Sequence, residues 1–354
     1  MPVLHRRAVV LAALGLAAAP LLGCSRPATS ATAEARPKVV VIGLKAARIA
    51  ELRAAAPGVE IVSAADMTEA SAVIGEAEAL IGRPTPELLR RAPKLRWVQV
   101  YSSGVDPFRF PELVDSEITL TNCRVVQGPN VADHALALLL GLTRGLPAAI
   151  RQQDARAWSR EPFRDPEPKL IELRGKTAVI VGYGSIGGEI GERVRGFGMK
   201  VVGVDRRGGA PPPGVEAMYA SDQLHAALAR ADVVFVAVPL TPATEGMIDA
   251  AALAKIPAGG YLINIARGKV IDTDALVEAL RSGQLAGAGL DVTEPEPLPP
   301  EHPLWTLDNV IITPHLGGTS DQVWERRMAL IADNLRRFAG GEALVNVVDK
   351  RAGY

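Results

Sequence analysis

The chain has 354 residues, with 39 Lys and Arg against 39 Asp and Glu, so its formal net charge is zero. This balance excludes the basic excess that a nucleic-acid-binding surface needs, and an aromatic content of 4% offers no stacking platform for bases. The length predicts two domains, each with a sizeable core, and two cysteines cannot form a disulfide framework.

The first 24 residues are typical of a signal peptide. His5, Arg6 and Arg7 form a basic start, and the apolar stretch 8–23 that follows is short for a membrane span, which needs roughly 20 residues. The stretch ends in Leu-Leu-Gly-Cys, which resembles the box of a bacterial lipoprotein. By that resemblance Cys24 is lipidated and becomes the first mature residue. An ordinary signal peptide with an incidental cysteine is the alternative.

Residues 25–37 are rich in Ala, Ser, Thr and Pro and lack hydrophobic periodicity, which predicts a flexible tether. The folded body is therefore expected in the bacterial cell envelope, with a membrane contact only through the lipid anchor, or in the cytoplasm if the signal is not used. The Arg6-Arg7 pair also resembles a loose twin-arginine signal, whose route carries folded proteins. A general secretory signal is the alternative. Cys123, left alone, is expected to be a buried small hydrophobe.

Short apolar runs alternate with helical patterns from residue 38 onward. Strands are predicted over residues 39–42, 59–62, 79–81 and 97–100, and helices over 46–56, 68–75 and 86–92. This alternation predicts an α/β unit with a parallel sheet. The residues that follow the fourth strand lie at the carboxyl end, where such sheets bind ligands; they are Ser103, Gly104, Val105 and Asp106.

A strand, a glycine-rich turn, a helix and a second strand follow one another over residues 178–205. Gly182, Gly184 and Gly187 have the spacing G-x-G-x-x-G and come directly after an apolar run. The first glycine allows the tight turn, the second lets the backbone approach a pyrophosphate, and the third lets helix and strand pack closely. The helix N-terminus offers N–H groups and a positive dipole to the phosphates. This order predicts a dinucleotide site, with a plain strand-helix-strand turn as the alternative.

The second strand of this unit ends at Asp205, where an acid can bond the ribose hydroxyls of NAD. Arg206 and Arg207 follow directly and could receive the 2′-phosphate of NADP. NAD is therefore expected, and NADP stays open.

A long apolar helix over residues 132–143 and a polar surface loop over 151–172 are predicted before this unit, and four strands after it, over 233–238, 261–265, 286–290 and 310–313. An amphipathic last helix, over about residues 321–338, is expected to return to the first domain and make that domain discontinuous.

Polar residues stand just past the last three strands. Strand ends on one edge of a parallel sheet converge, so these side chains could share one cleft with a nicotinamide; they are Arg267, Asp291, Glu296 and His315. Three other histidines are expected to pack or to face solvent, and no residue is assigned to a metal; these histidines are His134, His225 and His302.

Together these segments resemble the D-isomer-specific 2-hydroxyacid dehydrogenase family, over residues 38–354 and in the right order. The resemblance rests on the segment 103–106, the Gly182 motif, the late strand ends, and the runs 238–242 and 346–349. It implies an α/β fold of two Rossmann-like or flavodoxin-like parallel-sheet domains. The substrate domain would comprise residues 38–125 plus 319–354, and the dinucleotide-binding domain residues 126–318.

The resemblance also implies a role for each polar residue. His315 would be the general acid and base, since an imidazole titrates near neutral pH. Glu296 would bond the other ring nitrogen and favour the protonated form. Arg267 would pair with the substrate carboxylate, which suits a planar guanidinium, and backbone N–H groups at Ser103, Gly104 and Val105 would hold the same carboxylate. The implied cofactor contacts are Gly182, Gly184, Ser185, Ile186, Gly187, Asp205, Arg206, Val238, Pro239, Ile265, Ala266, Arg267, Asp291, His315 and Gly317.

The activity implied is hydride transfer between NAD or NADP and a small D-2-hydroxy acid or 2-oxo acid of the glyoxylate or hydroxypyruvate type, in a homodimer. Two alternatives stay open. One is a membrane-tethered protein that binds NAD without catalysis, and the other is an oxidoreductase whose cofactor does not dissociate.

Overall fold

A computed structural model of the protein describes residues 36–164, 170–206 and 208–354. The predicted signal peptide with Cys24 and most of the predicted tether lie outside the described residues, as does Arg207. Within the described ranges, no helix combines the length and the apolar character that crossing a membrane requires.

The first sheet has five parallel strands in the order β2-β1-β3-β4-β5. They are β1 (Lys38–Ile42), β2 (Glu60–Ala64), β3 (Ala79–Ile81), β4 (Trp97–Gln99) and β5 (Thr119–Thr121). Four helices connect them: α1 (Ala46–Ala55), α2 (Met67–Val73), α3 (Pro86–Arg90) and α4 (Pro111–Val114). Local signals start two of these helices. Asp66 accepts hydrogen bonds from the first-turn N–H groups of α2, and Thr85 caps α3 directly before Pro86.

Both faces of this sheet are covered, which is why its strands are continuous apolar runs rather than alternating ones. Val40 and Leu80 face one layer, where they pack with Leu88 of α3. Val39 and Val41 face the other layer.

Two helices lead to the second sheet, α5 (Gly128–Thr143) and α6 (Leu146–Asp154). That sheet has seven parallel strands in the order β12-β11-β10-β9-β6-β7-β8. Its strands are β6 (Thr177–Val181), β7 (Lys200–Asp205), β8 (Ala217–Ala220), β9 (Val233–Val236), β10 (Gly260–Asn264), β11 (Leu285–Leu290) and β12 (Val310–Ile312). Its connecting helices are α7 (Ser185–Gly196), α8 (Leu224–Leu228), α9 (Ala250–Leu253) and α10 (Thr273–Arg281).

The last helix, α11 (Val323–Gly340), returns to the five-stranded sheet. Ile331 and Leu335 are fully buried against Val39 and Val41 of β1. The ring of Phe338 lies 5.1 Å from the ring of Trp97, centroid to centroid. The predicted fold class, two parallel-sheet α/β domains of which the first is discontinuous, is therefore confirmed.

Several predicted elements differ from the structure. The loop predicted over residues 151–172 is wrong at its start, because α6 continues to Asp154. This helix is short, with only two large apolar residues, Leu146 and Ile150, so its sequence has too few apolar positions to indicate a helix clearly. Helix α5 begins four residues earlier than predicted, at Gly128. Strands β5 and β8 were not predicted; β5 is only three residues long, and β8 is a half-buried edge strand. The predicted domain boundaries fall in the β5–α5 and β12–α11 connections and stay predictions.

Candidate active site

The predicted substrate segment 103–105 follows β4 of the first sheet, and the predicted cofactor and catalytic residues lie along the carboxyl ends of the strands of the seven-stranded sheet. All of its strand pairs are parallel, so the carboxyl ends of neighbouring strands lie side by side. In sheet order from β7 to β12, the residues at or just beyond these ends are Asp205, Gly182, Val238, Arg267, Asp291 and His315. The topology therefore gathers residues that are far apart in the sequence.

The glycine-rich turn between β6 and α7 is shaped by close backbone contacts. Gly182 has φ +99°, a left-handed region that favours glycine, and a Cβ there would lie 2.6 Å from the Ala237 carbonyl carbon. A Cβ at Gly187 would overlap the Gly182 carbonyl oxygen, so helix and strand could not pack this closely with any other residue. Gly184 has open space above it, with no heavy atom within 4 Å of a built Cβ. The turn fits a pyrophosphate that approaches the backbone at Gly184.

The N-terminus of α7 is free of side-chain caps. Gly184 occupies the N-cap position, no side chain accepts a hydrogen bond from the first turn, and that turn carries no acidic residue. The first N–H groups of a helix have no partner within the helix and carry partial positive charge. The N–H groups of Ser185 and Ile186 are thus free to bind an anion, and their contact with a dinucleotide phosphate stays a prediction.

Asp205 ends β7 with an exposed side chain, and its carboxylate accepts a hydrogen bond from the N–H of Arg206. The guanidinium of Arg206 stacks on the ring of Tyr354, 5.1 Å from the ring centroid, and donates a hydrogen bond to the Tyr354 hydroxyl. The Arg206 guanidinium therefore already has a partner in Tyr354, and it would have to leave this ring to bind a phosphate at the expected ribose site.

The other predicted cofactor contacts lie at the neighbouring strand ends. Ile265 and Ala266 follow β10 and are buried, with 8% and 7% of their surface exposed. Val238 packs against the core beyond β9, and Pro239 next to it is exposed. Which of these four residues touches a cofactor stays a prediction.

His315 and Glu296 form a hydrogen-bonded pair. The His315 Nδ1 atom lies 2.7 Å from Glu296 Oε1, and each side chain is a little over two-fifths exposed. The backbone of His315 has φ +53°, a value that residues other than glycine rarely adopt. Its N–H donates to the carbonyl oxygens of Asp291 and Thr313, both at 2.9 Å. The predicted acid–base pair is thus brought together, with Nε2 of His315 left on the side away from Glu296.

Asp291 is placed differently from a residue that simply faces a ligand. Its side chain is 3% exposed. Oδ1 accepts from the hydroxyl of Thr313 at 2.7 Å and from the N–H of Leu316 at 2.8 Å, and Oδ2 accepts from the N–H of Gly317 at 2.9 Å. The carboxylate therefore binds the loop that carries His315. The predicted contact of Asp291 with a nicotinamide stays a prediction.

Arg267 reaches from the end of β10 to the first sheet. Its Nη2 lies 3.2 Å from Oδ1 of Asp106, and its Nη1 donates to the Ala266 carbonyl at 2.7 Å. The guanidinium rests directly on Gly104, where any Cβ would overlap Nη2. The two segments expected to hold a substrate carboxylate are therefore adjacent. A side chain at position 104 would therefore require the Arg267 guanidinium to move.

The remaining residues of the predicted carboxylate pocket are held by the first sheet. The Ser103 hydroxyl lies 3.0 Å from the carbonyl of Cys123 and 2.9 Å from Oε1 of Gln127. Val105 has its side chain in the core with 2% exposure, so only its backbone could reach a ligand. Cys123 is fully buried, as predicted, and this burial raises the pKa of its thiol to about 12.

Sequence reasoning missed His134. It was expected to pack or to face solvent, but its Nε2 lies 2.8 Å from the Thr313 hydroxyl and 3.1 Å from Oδ1 of Asp291. Asn130, one helical turn earlier on α5, donates to the carbonyl of Gly317 at 2.6 Å. The available signal was the i, i+4 spacing of Asn130 and His134, which places both side chains on one face of a largely apolar helix. In the part of the chain that the structure describes, no group of three or more His, Cys, Asp or Glu side chains is placed to hold a metal ion.

Comparison with known proteins places this arrangement among dehydrogenases. The model of the family described as D-isomer specific 2-hydroxyacid dehydrogenase, NAD binding domain, matches residues 136–317. The glyoxylate reductase of Pyrococcus furiosus is 39% identical over 268 residues, which cover 75% of this chain and 79% of that protein.

Two solved structures are similar over most of the chain. A D-isomer specific 2-hydroxyacid dehydrogenase family protein from Aeromonas salmonicida has a TM-score of 0.77 at 34% identity, covering 89% of this chain and 100% of that chain. The NADPH-dependent glyoxylate/hydroxypyruvate reductase of Sinorhizobium meliloti, solved in complex with NADP and sulfate, has a TM-score of 0.76 at 29% identity. That comparison covers 90% of this chain and 100% of the other chain.

Proposed function

Because this chain belongs to the D-isomer specific 2-hydroxyacid dehydrogenase family and has its NAD(P)-binding fold, we propose that it reduces a small 2-oxo acid to the D-2-hydroxy acid, or catalyses the reverse. Glyoxylate and hydroxypyruvate are the proposed substrates, in line with the names of two of its relatives. The observation that carries the proposal is the pair of His315 Nδ1 and Glu296 Oε1 at 2.7 Å, beside strand ends that carry Arg267 and the glycine-rich turn.

In the proposed reaction, His315 moves the proton on the substrate oxygen. Glu296 occupies Nδ1, which leaves Nε2 to give a proton to the carbonyl oxygen during reduction and to take one from the hydroxyl during oxidation. The bound nicotinamide supplies or accepts the hydride. The hydrogen bond from Nδ1 to the carboxylate of Glu296 fixes the orientation of the ring.

Arg267 would bind the substrate carboxylate. This role is supported by the pairing of its guanidinium with the carboxylate of Asp106 at 3.2 Å. Both side chains are less than a third exposed, so the pair lies in a partly dry cleft, where a guanidinium binds a carboxylate more strongly than it does in water. The Arg267–Gly104 contact places the backbone of the 103–105 segment next to the same position.

We propose NAD as the preferred cofactor. Asp205 is exposed at the end of β7, where it would bond both ribose hydroxyls and repel a 2′-phosphate. Arg206, which could attract that phosphate, is stacked on Tyr354.

The proposal is tested with one set of assays on the purified protein. NADH and NADPH absorbance is followed with glyoxylate, hydroxypyruvate, pyruvate and phosphonooxypyruvate, in parallel with His315→Ala and with His225→Ala. His225 lies exposed on α8 and serves as the matched control. We expect turnover with NADH and glyoxylate or hydroxypyruvate. In His315→Ala, kcat should fall by roughly 10²–10⁴-fold, the usual contribution of a general acid–base, while His225→Ala stays within twofold.

Two results would contradict the proposal. Turnover that survives in His315→Ala would remove the acid–base role. If the folded wild-type protein shows no turnover with any pair but binds NADH, a non-catalytic binding protein becomes the better description. Nicotinamide absorbance that stays with the protein through gel filtration would instead indicate a cofactor that does not dissociate.

We also propose that the protein is a homodimer. Helix α6 and the segment after it expose large apolar side chains that nothing in the described chain covers. Leu146 is 48% exposed, Ile150 55% and Trp158 94%. Apolar side chains exposed together in this way are typical of an interaction surface.

Finally, we propose that the protein acts in the bacterial cell envelope, anchored by a lipid on Cys24. The support comes from the sequence alone, through the basic start, the apolar stretch of residues 8–23 and the Leu-Leu-Gly-Cys ending.

A further inference from the structure

A buried polar network lies directly behind the loop that carries His315. Its centre is the Asp291 carboxylate, 3% exposed, and its outer member is His134 on α5, whose side chain is 20% exposed. The His134 Nε2 atom lies 2.8 Å from the Thr313 hydroxyl oxygen and 3.1 Å from Asp291 Oδ1. These groups are outside the reaction steps described above, since none of them is the acid–base or the carboxylate-binding residue.

The direction of the hydrogen bonds follows from counting protons. The hydroxyl of Thr313 has one proton, and it donates that proton to Asp291 Oδ1 at 2.7 Å. The hydroxyl can therefore only accept from His134, so Nε2 of His134 carries hydrogen and acts as the donor. His134 thus supplies a donor to a carboxylate that is otherwise closed off from water, where an unpaired charge is costly.

The same carboxylate holds the backbone of the catalytic loop. It accepts from the N–H groups of Leu316 and Gly317, and the Asp291 carbonyl accepts from the N–H of His315. These residues follow one another through a tight turn in which His315 has φ +53°. A residue other than glycine keeps this backbone conformation only when its surroundings impose it. Here the turn is held by the bonds to Asp291, together with the bond from the His315 N–H to the Thr313 carbonyl.

A second arm of the network supports the far side of the turn. Asn130 donates to the Gly317 carbonyl at 2.6 Å, and Arg326 of α11 donates to Oδ1 of Asn130 at 3.1 Å. A Cβ at Gly317 would lie 2.9 Å from Asp291 Oδ2 and 3.5 Å from the His134 ring. Two residues of α5, Asn130 and His134, therefore lie against the turn at Gly317.

We propose that His134 is a positioning residue for the dehydrogenase reaction. Through Asp291 and Thr313 it keeps the 313–318 turn in the conformation that points the His315 imidazole at the substrate. This inference rests on the proposed function of His315. It predicts that His134 affects the proton-transfer step and not the affinity for the dinucleotide, because a catalytic group displaced slightly from its productive geometry loses rate while binding elsewhere is kept.

The kinetic test compares His134→Ala, His134→Gln and His225→Ala. We expect kcat to fall by at least about tenfold in His134→Ala, with the dissociation constant of NADH within twofold of wild type. The Gln side chain can donate an N–H to Asp291 or Thr313, so His134→Gln should recover most of the lost kcat, and it also covers the case in which His134→Ala folds poorly. Unchanged kcat in His134→Ala would overturn the proposal. Weaker NADH binding with unchanged kcat would overturn it as well, since His134 would then serve the cofactor site.

A second readout needs neither substrate nor cofactor. Hydrogen exchange is measured on cofactor-free protein for the amides of Leu316 and Gly317, whose N–H groups bond to Asp291. We expect at least tenfold faster exchange in His134→Ala, wild-type exchange in His225→Ala, and unchanged exchange in the β1 amides as a check on the fold. Wild-type exchange at Leu316 and Gly317 would overturn the positioning role. If the wild-type enzyme turned over none of the substrates, the proposed function would fail while this measurement still decided what His134 holds.

Discussion

At the residue scale, the site depends on charges that are shared between distant segments. Arg267 is paired with Asp106, His315 with Glu296, and the Asp291 carboxylate with the backbone of the loop that carries His315. The first two pairs are partly exposed, so they can exchange partners with a ligand. The Asp291 carboxylate is buried, and it accepts hydrogen bonds from the backbone of the loop that carries His315. Under the proposed function, a substrate carboxylate takes the place that Asp106 occupies on the guanidinium.

The contact between Arg267 and Gly104 gives a residue-scale prediction. In Gly104→Ala the new methyl group would overlap Nη2 of Arg267, so the guanidinium must move. A hydrogen bond to a charged group contributes about 1.5–3 kcal/mol, so we expect KM for the 2-oxo acid to rise roughly 10- to 100-fold. NADH binding should stay within twofold. Steady-state kinetics measures both effects.

The matched control is Gly196→Ala, near the end of α7, where a Cβ would meet no heavy atom within 4 Å. It should leave KM unchanged. Equal KM values for Gly104→Ala and wild type would show that Arg267 does not bind the substrate carboxylate.

Among the elements, the helices that cover the two sheets bury apolar side chains, whereas helix α6 does not. It has no buried residue, although α5, just before it, is largely buried. Leu146 and Ile150 are spaced i and i+4, so they lie on one face of α6, and both are about half exposed. A helix that buries nothing within its own chain gains little from packing, which is why we propose that a second copy of the chain covers it.

The element-scale prediction concerns the oligomeric state. A carboxylate at position 150 would be desolvated in a dimer interface, so Ile150→Glu should shift the protein from dimer to monomer in sedimentation-velocity experiments. Phe197→Glu is the control, because Phe197 is 45% exposed at the end of α7 and separate from α6. A wild-type protein that sediments as a monomer at micromolar concentration would reject the homodimer.

At the scale of the whole molecule, the C-terminal segment connects the two sheets. The ammonium of Lys350 donates to the carbonyls of Leu113, Ser116 and Ile118 in the first-sheet layer, at 2.6 to 2.9 Å. Its burial lowers the pKa of that ammonium. Four residues later, Tyr354 contacts Arg206 beside β7 of the second sheet. The C-terminal segment therefore contacts both the five-stranded sheet layer, through Lys350, and the expected ribose site beside β7, through Tyr354.

The whole-molecule prediction tests the location of the protein in a bacterial cell. With wild-type protein we expect the enzyme in the membrane fraction of the envelope, extractable by detergent. Cys24→Ser should release it to the soluble fraction, because no lipid can be attached to serine in this position. Cys123→Ser, which changes the fully buried cysteine, is the control and should fractionate like wild type. Wild-type protein found only in the cytoplasmic fraction would reject the envelope proposal.

The architecture could be predicted from local patterns in the amino-acid sequence. Continuous apolar runs predict buried parallel strands because both faces of such a sheet are covered, and most of the predicted strands and helices were confirmed within a few residues. The glycine spacing, followed by a helix and an acid, predicts a dinucleotide turn because only glycine permits those close backbone approaches. These features are local, so a short window of sequence contains them. Short elements with few apolar residues, such as α6 and β8, were not predicted, because such a window contains little of this pattern.

The contacts between polar groups became visible in the three-dimensional structure and could not be read from local sequence patterns. Asp106 and Arg267 are 161 residues apart, and His134 and Thr313 are 179 residues apart, so no local pattern connects them. The order of strands in the sheet brings these pairs together, and burial then determines their roles. Asp291, expected at the cofactor, binds the loop of His315, and His134, expected to pack, donates to that network. Long-range pairing of this kind depends on how the sheet and α5 pack, which a single sequence does not encode in any one segment.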